Sequence, residues 1–198
     1  MTPYEKAYTE TMGIEGIYSN DPKDFGGETY KGIARKKNPD WHGWTFIDEA
    51  KKKPGFPASI KGNALIEELV KDFYRAQFWN HVWGDKVAAL SPDIASEMFD
   101  TAVNQGEHWA IIYLQQALNL LNRNGSLYPD LVEDGSIGEK SITALQTYLQ
   151  RDPVSMLLLW MNIFQGARYA EIMKKSPTQE GYARGWAKRI TITKTKEA

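Results

Sequence analysis

Between Gly16 and Gly32 the chain reads GIYSNDPKDFGGETYKG, dense in glycine, asparagine, aspartate and proline, whereas most of the sequence around it carries helical spacing. Such a stretch cannot continue a helix. Its turn formers, with aromatic residues between them, read as loop and short hairpin. On its N-terminal side, a helix over residues 3 to 15 brings Tyr4, Tyr8, Met12 and Glu15 into a sector of about 100°. Pro3 suits the first turn of that helix, and Gly13 and Gly16 mark its end. A carboxylate therefore shares the face that should be buried.

Downstream, the spacing predicts a short helix over 45–53 capped by Thr45 and ended by Pro54 and Pro57. A longer helix starts at Asn63, with Leu65, Leu69, Phe73 and Ala76 at helical spacing beside Ile66, Val70 and Tyr74. Ser91 followed by Pro92 opens a helix towards Asn104 that Gly106 stops. Ile111, Leu114, Leu118 and Leu121 then line one face of a helix over 107–121. The polar connection NRNGSLYPDLVEDGS follows as a candidate lobe boundary, with further helices expected over 138–150, 153–174 and 180–190. The fold class is mainly α (α+β), with no internal repeat.

Composition removes several classes of function. The 198 residues include no cysteine, so there is no disulfide framework, thiol nucleophile or zinc ribbon. With 24 basic against 25 acidic side chains, the net charge of -1 gives no global reason to expect nucleic acid as a partner. His42, His81 and His108 fall in no compact ligand spacing, and no phosphate-binding glycine motif occurs; neither a metal nor another cofactor is expected. The most apolar stretch, Met156 to Met161, is far short of a bilayer span, so no membrane insertion is expected. The first twenty residues lack the pattern of a secretory signal.

Glu15 sits at a helix end on an apolar face, beside a loop carrying Asp21, Asp24 and Glu28. An acid withdrawn from water holds its proton towards neutrality, whereas a hydrated loop carboxylate stays ionised. Two carboxyl groups in such unlike environments suit glycoside hydrolysis, where one protonates the leaving oxygen and the other activates water or stabilises the cationic transition state. Thr29 is placed to hold that water. The alternative is that Glu15 is a helix-end residue and the loop acids are turn formers.

Glu15-Gly16-Ile17-Tyr18, Asn20-Asp21-Pro22, Asp24, Gly26-Gly27, Thr29 and Gly32-Ile33 together resemble the EGGY, NDP, D-x-G-G-x-T, GI signature of glycoside hydrolase family 108. That is an N-acetylmuramidase family with a lysozyme-like fold, found among phage endolysins and bacterial proteins labelled secretion activators. Tyr74, Trp79, Gly84-Asp85 and the run from Phe99-Asp100 to Gly106 extend the resemblance over about the first 106 residues. Ile17 stands where the pattern has its second glycine. Farther on, Leu114-Gln115-Gln116-Ala117-Leu118 and Asp134-Gly135-Ser136-Ile137-Gly138, then Phe164-Gln165-Gly166 and Arg184-Gly185-Trp186 to Arg189, resemble the predicted peptidoglycan-binding domain that accompanies this family.

The resemblance implies a lysozyme-like helical fold with a small β-hairpin at the active site. A hydrolase region would span 1–92, a helical peptidoglycan-binding region 93–190 and a basic tail 191–198. The implied activity is hydrolysis of the β-1,4 bond between N-acetylmuramic acid and N-acetylglucosamine. Glu15 is then the general acid, and Asp24, ahead of Asp21, stabilises the oxocarbenium-like state or acts with Thr29 on a water. Expected substrate contacts are Tyr18, Asp21, Gly26, Gly27, Tyr30, Trp41, Trp44 and Asn104. The partner is peptidoglycan, no cofactor is needed, and a monomer is favoured. The chain would be made in the cytoplasm and act on the wall, in the periplasm or outside the cell, after export or release. The alternatives are a wall-binding or secretion-accessory protein without turnover and a lytic transglycosylase.

Overall fold

The computed structural model describes residues 1–13, 18–20 and 27–191. It comprises two compact units, one built from Met1–Thr11 with Phe78–Ala198, the other from Met12–Gln77. The fold is mainly α. Among the described residues, no helix is long and apolar enough to cross a membrane.

In the Met12–Gln77 unit, three two-residue strands form an antiparallel sheet in chain order: β1 (Tyr18–Ser19), β2 (Thr29–Tyr30) and β3 (Ile33–Ala34). Tyr18 pairs with Tyr30 and Ser19 with Thr29; Thr29 then pairs with Ala34 and Tyr30 with Ile33. Against this sheet stand α2 (Gly43–Lys51), a 3₁₀ turn at Ala58–Ile60 and α3 (Ala64–Tyr74). Asn63 caps α3, its side-chain oxygen accepting from the backbone N–H groups of Leu65 (3.1 Å) and Ile66 (3.2 Å), a device worth about 1 kcal/mol. The buried face of α3 is Ile66, Val70 and Tyr74, while Leu65 is 52% exposed.

Helix α2 starts two residues before the expected Thr45 cap, so Thr45 lies within its first turn. Trp44 is the cause. Its ring is buried and its indole N–H donates to the Asn38 carbonyl at 2.7 Å, which requires the turn to begin at Trp41, whose carbonyl accepts from Trp44 N–H at 3.0 Å.

The other unit holds α1 (Pro3–Met12) up to Thr11 and, after a π-helical turn at Arg75–Trp79, the helices α4 (Gly84–Leu90), α5 (Pro92–Gln105), α6 (Glu107–Leu121), α7 (Glu139–Leu149) and α8 (Val154–Lys175). Ser91 caps α5, accepting from Ile94 N–H at 3.3 Å, and Gly106 ends it with φ of 95°. Tyr4, Ala7 and Tyr8 of α1 are buried, with Tyr4 against the rings of Trp79 and Phe99 at 5.4 and 5.7 Å between centroids. The expected helix over 180–190 is instead a 3₁₀ segment at Pro177–Tyr182 followed by a short α9 (Ala183–Ala187). Gly181 and Gly185 weaken helical propensity across that stretch.

The connection after α6 lies inside this unit and separates no lobes. It is laid along α6 by side chains. Asn119 exchanges hydrogen bonds with both backbone groups of Leu131 (2.9 and 2.8 Å), and the Tyr128 hydroxyl donates to the Leu118 carbonyl at 2.9 Å.

Candidate active site and its scaffold

The hairpin between β2 and β3 turns on Lys31 and Gly32, both with positive φ, 44° and 80°. This is the two-residue connection whose backbone twist matches that of the strands. Tyr74 of α3 fastens it, its hydroxyl donating to the Lys31 carbonyl at 2.9 Å. A Cβ on Gly32 would stand 2.4 Å from that hydroxyl oxygen, so the position needs glycine for both its angle and its space. Lys31 Nζ also reaches Glu67 of α3 at 2.5 Å.

Glu28 is the hub of the same region. Its side chain is 10% exposed and receives Arg35 Nη1 at 2.7 Å, Lys51 Nζ, and the Tyr18 hydroxyl at 3.1 Å. Arg35 and Lys51 are further joined by Asp48, at 2.5 and 3.2 Å. One carboxylate thus ties β1, the β3 end and α2 together. Lys51, the first of the three lysines at 51–53, is thereby a member of this network. Burial and the neighbouring Glu28 charge hold the Tyr18 hydroxyl above its ordinary pKa, so it stays a donor. The Asp48 carboxyl is lowered, chiefly by its hydrogen bonds from Arg35.

Around this scaffold the unit gathers Tyr18, Gly27, Thr29, Tyr30, Trp41 and Trp44. The Thr29 hydroxyl donates to the Gly27 carbonyl at 3.3 Å and keeps its lone pairs available. Gly27 adopts φ of 65°. Trp41 is half-buried, stacked on Tyr30 at 6.2 Å between centroids, with its indole N–H on the Leu69 carbonyl at 3.3 Å. Tyr30 (0% exposed) and Trp44 (3% exposed) offer no surface to a ligand, which corrects the expectation that they touch substrate. They are core residues of the wall. Glu15, Ile17, Asp21, Asp24 and Gly26 lie outside the described residues.

In the other unit, motif residues distant in sequence meet one another. Arg189 Nη1 donates to Asp100 Oδ1 at 2.7 Å and to the Thr11 carbonyl at 3.5 Å, while Gln165 Nε2 reaches Asp100 Oδ2 and Thr101 Oγ1, both at 3.3 Å. Asn104, an expected substrate contact, turns its amide back onto the Asp100 carbonyl of its own helix at 2.8 Å. Gln115 of α6 donates to Asp134 Oδ1 at 3.0 Å and accepts from Gly135 N–H at 3.0 Å, which locks the Asp-Gly turn to the helix. Trp79 donates to Asp85 at 2.9 Å. The signal in these motifs is architectural.

This unit also carries an open pocket of about 570 Å³ whose walls include Lys6, Asp93, Glu97, Asp100, Asn162 and Arg189. Burial pushes the Glu97 carboxyl from an ordinary 4.5 to about 7, with the Asp100 charge adding to the effect and hydrogen bonds from Asn162 and Thr101 opposing it. Asp100 is raised as well, by burial, against the pull of Arg189. Between pH 4.5 and 7 the unfolded chain has lost the Glu97 proton that the folded chain still binds. Stability should therefore fall as pH rises through that window, by on the order of 3 kcal/mol from this group. Below it the penalty is absent, and above it the penalty is constant. Urea midpoints at pH 5 and pH 8 should differ in wild type and converge in Glu97→Gln; an unchanged difference in the variant would remove Glu97 as its source.

Residues 8–106 match the glycosyl hydrolase 108 family, and residues 109–191 match a "Predicted Peptidoglycan domain". A solved structure titled "Structure of Brucella abortus SagA" is similar with a TM-score of 0.58 at 24% identity, covering 94% of this chain and 88% of that one. That likeness bears on the fold, which is lysozyme-like and mainly α. No curated protein matches the chain. With half of its length in the first match and most of the remainder in the second, the chain belongs to the glycosyl hydrolase 108 family and is a glycoside hydrolase of peptidoglycan.

Proposed function

We propose that the enzyme is an N-acetylmuramidase, cutting the β-1,4 bond between N-acetylmuramic acid and N-acetylglucosamine, with Glu15 as general acid. The observation that carries the reading is the family match across residues 8–106, within which the signature glutamate is intact at position 15. Glu15 follows α1, whose Tyr4, Ala7, Tyr8 and Thr11 are buried. As the general acid, Glu15 holds a proton for the leaving oxygen.

The second carboxylate falls to Asp24. Of the acids in the loop region, Glu28 is committed to two cations and a tyrosine hydroxyl, which leaves it no role in proton transfer or in facing a sugar ring. Asp24 and Asp21 remain, and Asp24 stands nearer in sequence to Gly27 and Thr29. In this mechanism Glu15 protonates the glycosidic oxygen as the bond to the anomeric carbon opens. Asp24 balances the developing positive charge, and the Thr29 oxygen accepts a hydrogen bond from the incoming water. The water's hydroxyl goes to the anomeric carbon and its proton to a carboxylate, so that the site returns to its starting state. Tyr18, Gly27 and Trp41 line the approach. Such an enzyme acts on the wall, in the periplasm or outside the cell.

The chemistry of the new ends tests this. Digests of purified peptidoglycan, reduced with borohydride and read by mass spectrometry, should carry reduced muramic acid termini. Ends of 1,6-anhydromuramic acid would mean a lytic transglycosylase, reduced glucosamine ends a different bond, and intact polymer a wall-binding protein without turnover; each overturns the muramidase reading.

A further inference from the structure

Helix α1 is held in two ways. Its body is seated by the buried Tyr4, Ala7 and Tyr8, and its last turn is held by polar groups from elsewhere in the sequence. A helix leaves its last four carbonyls without an intrahelical partner. In α1, which runs Pro3–Met12, the Thr11 carbonyl is one of these, and Arg189 Nη1 donates to it at 3.5 Å. The same nitrogen donates to Asp100 Oδ1 of α5 at 2.7 Å, and the Thr11 hydroxyl donates to the Asp100 carboxylate as well. One ion pair thus holds Thr11 by its backbone and by its side chain. A guanidinium in this place also meets the negative end of the helix dipole.

The pair is fixed in turn. Gln165 of α8 is buried and donates to the second Asp100 oxygen at 3.3 Å, so the carboxylate is bonded on both oxygens. Thr11 is also the last residue of its unit before the chain passes to Met12–Gln77. Two residues on, Gly13 has φ of 40°, a left-handed backbone of the kind that ends helices. Glu15 follows Thr11 by four residues, at most about 14 Å of extended chain. A tether this short passes on a shift of its anchor. Misplacing a reacting group by about 1 Å costs up to about a hundredfold in rate.

We propose that Arg189 is a positioning residue for the general acid: with Asp100 it fixes, through Thr11, the end of α1 from which the chain runs to Glu15. The proposal rests on Glu15 being that acid, and it goes beyond that reading in the origin of the anchor. Arg189 belongs to the segment matched as a peptidoglycan domain, 109–191, and not to the hydrolase match, 8–106. The second segment is then needed for turnover, whatever it binds.

The test is a double-mutant cycle in the full chain, read as kcat and KM on soluble peptidoglycan strands. Arg189→Lys keeps a charge for Asp100 but loses the planar guanidinium. Arg189→Met combined with Asp100→Asn removes both charges of a pair whose side chains are only 20% and 19% exposed, so neither is left stranded. Circular dichroism and thermal melting should show both proteins folded, because the body of α1 is seated by its own apolar residues. Each should lose about tenfold or more in kcat with KM within about twofold of wild type. In a Glu15→Gln background the paired variant should change the residual rate by less than about twofold, because the group it positions is already gone. Unchanged kcat, a loss carried by KM, a loss that tracks a lowered melting temperature, or the full tenfold loss repeated in the Glu15→Gln background would each overturn the proposal. Glu15→Gln alone at the wild-type rate would remove the acid assignment and this proposal with it, and that outcome is recognised without any change at Arg189.

Discussion

Substituting glutamine for Glu15 is expected to slow hydrolysis of purified peptidoglycan by at least about a hundredfold, the loss that follows removal of a positioned general acid. Glutamine keeps the size and polarity of the side chain and removes only the titrating proton. Sedimentation with the polymer and thermal stability should therefore stay near wild type while reducing-sugar release collapses. A variant that releases sugar at the wild-type rate would take the acid role away from Glu15. A variant that loses binding in proportion to rate would make Glu15 a substrate-holding group. Because departure of the sugar alkoxide is the step assisted, substrates with leaving groups that need no protonation should lose much less rate, which gives an independent check on the role.

Glu28→Gln is the second large effect expected, and its signature is the reverse. The glutamine amide cannot neutralise Arg35 and Lys51, which are both partly buried around it. Removing one partner of a buried pair costs about 3–5 kcal/mol. Asp48 retains both cations, so the expectation here is about 2–3 kcal/mol, seen as a lower urea midpoint. Activity should fall as a consequence of a loosened hairpin. Adding Lys51→Met should return part of the lost stability, since it removes the stranded charge, and the coupling in that cycle measures the pair. Unchanged stability with abolished turnover would instead put Glu28 in the chemistry.

The contrast between these two glutamates shows what can be read from sequence. Helix limits marked by local devices were legible: Asn63 caps α3, Ser91 and Pro92 open α5, and Gly106 separates α5 from α6. Each acts within a few residues of itself. The early start of α2 was not legible, because it depends on where the Trp44 ring is buried. Nor was the role of Lys51, whose partner Glu28 is decided by how α2 lies along the hairpin. The same limit applies to the tryptophans. Chain position near a loop made Trp41 and Trp44 equivalent candidates for stacking on sugar, whereas the packed structure hides one and leaves the other half open. For Asp100, Gln165 and Arg189 the family resemblance identified the residues, and only the three-dimensional arrangement shows what joins them: Arg189 and Gln165 both bond to Asp100.

Translation delivers α1 before Met12–Gln77, yet α1 belongs to the unit that is completed after that segment. Its Tyr4 packs on Trp79 and Phe99, which leave the ribosome only after the whole of Met12–Gln77 has emerged. The nascent chain therefore holds Tyr4, Ala7 and Tyr8 uncovered while the hairpin unit can already condense, a period in which an apolar helix face is open to chaperones or to aggregation. A gene fragment cut at the end of the first family segment, residue 106, would prolong that state: it supplies α5 without α6 and α8, the helices that cover it. The boundary between the two family segments is thus no folding boundary, because the helix that precedes Glu15 in sequence is anchored by residues that come after Met12–Gln77.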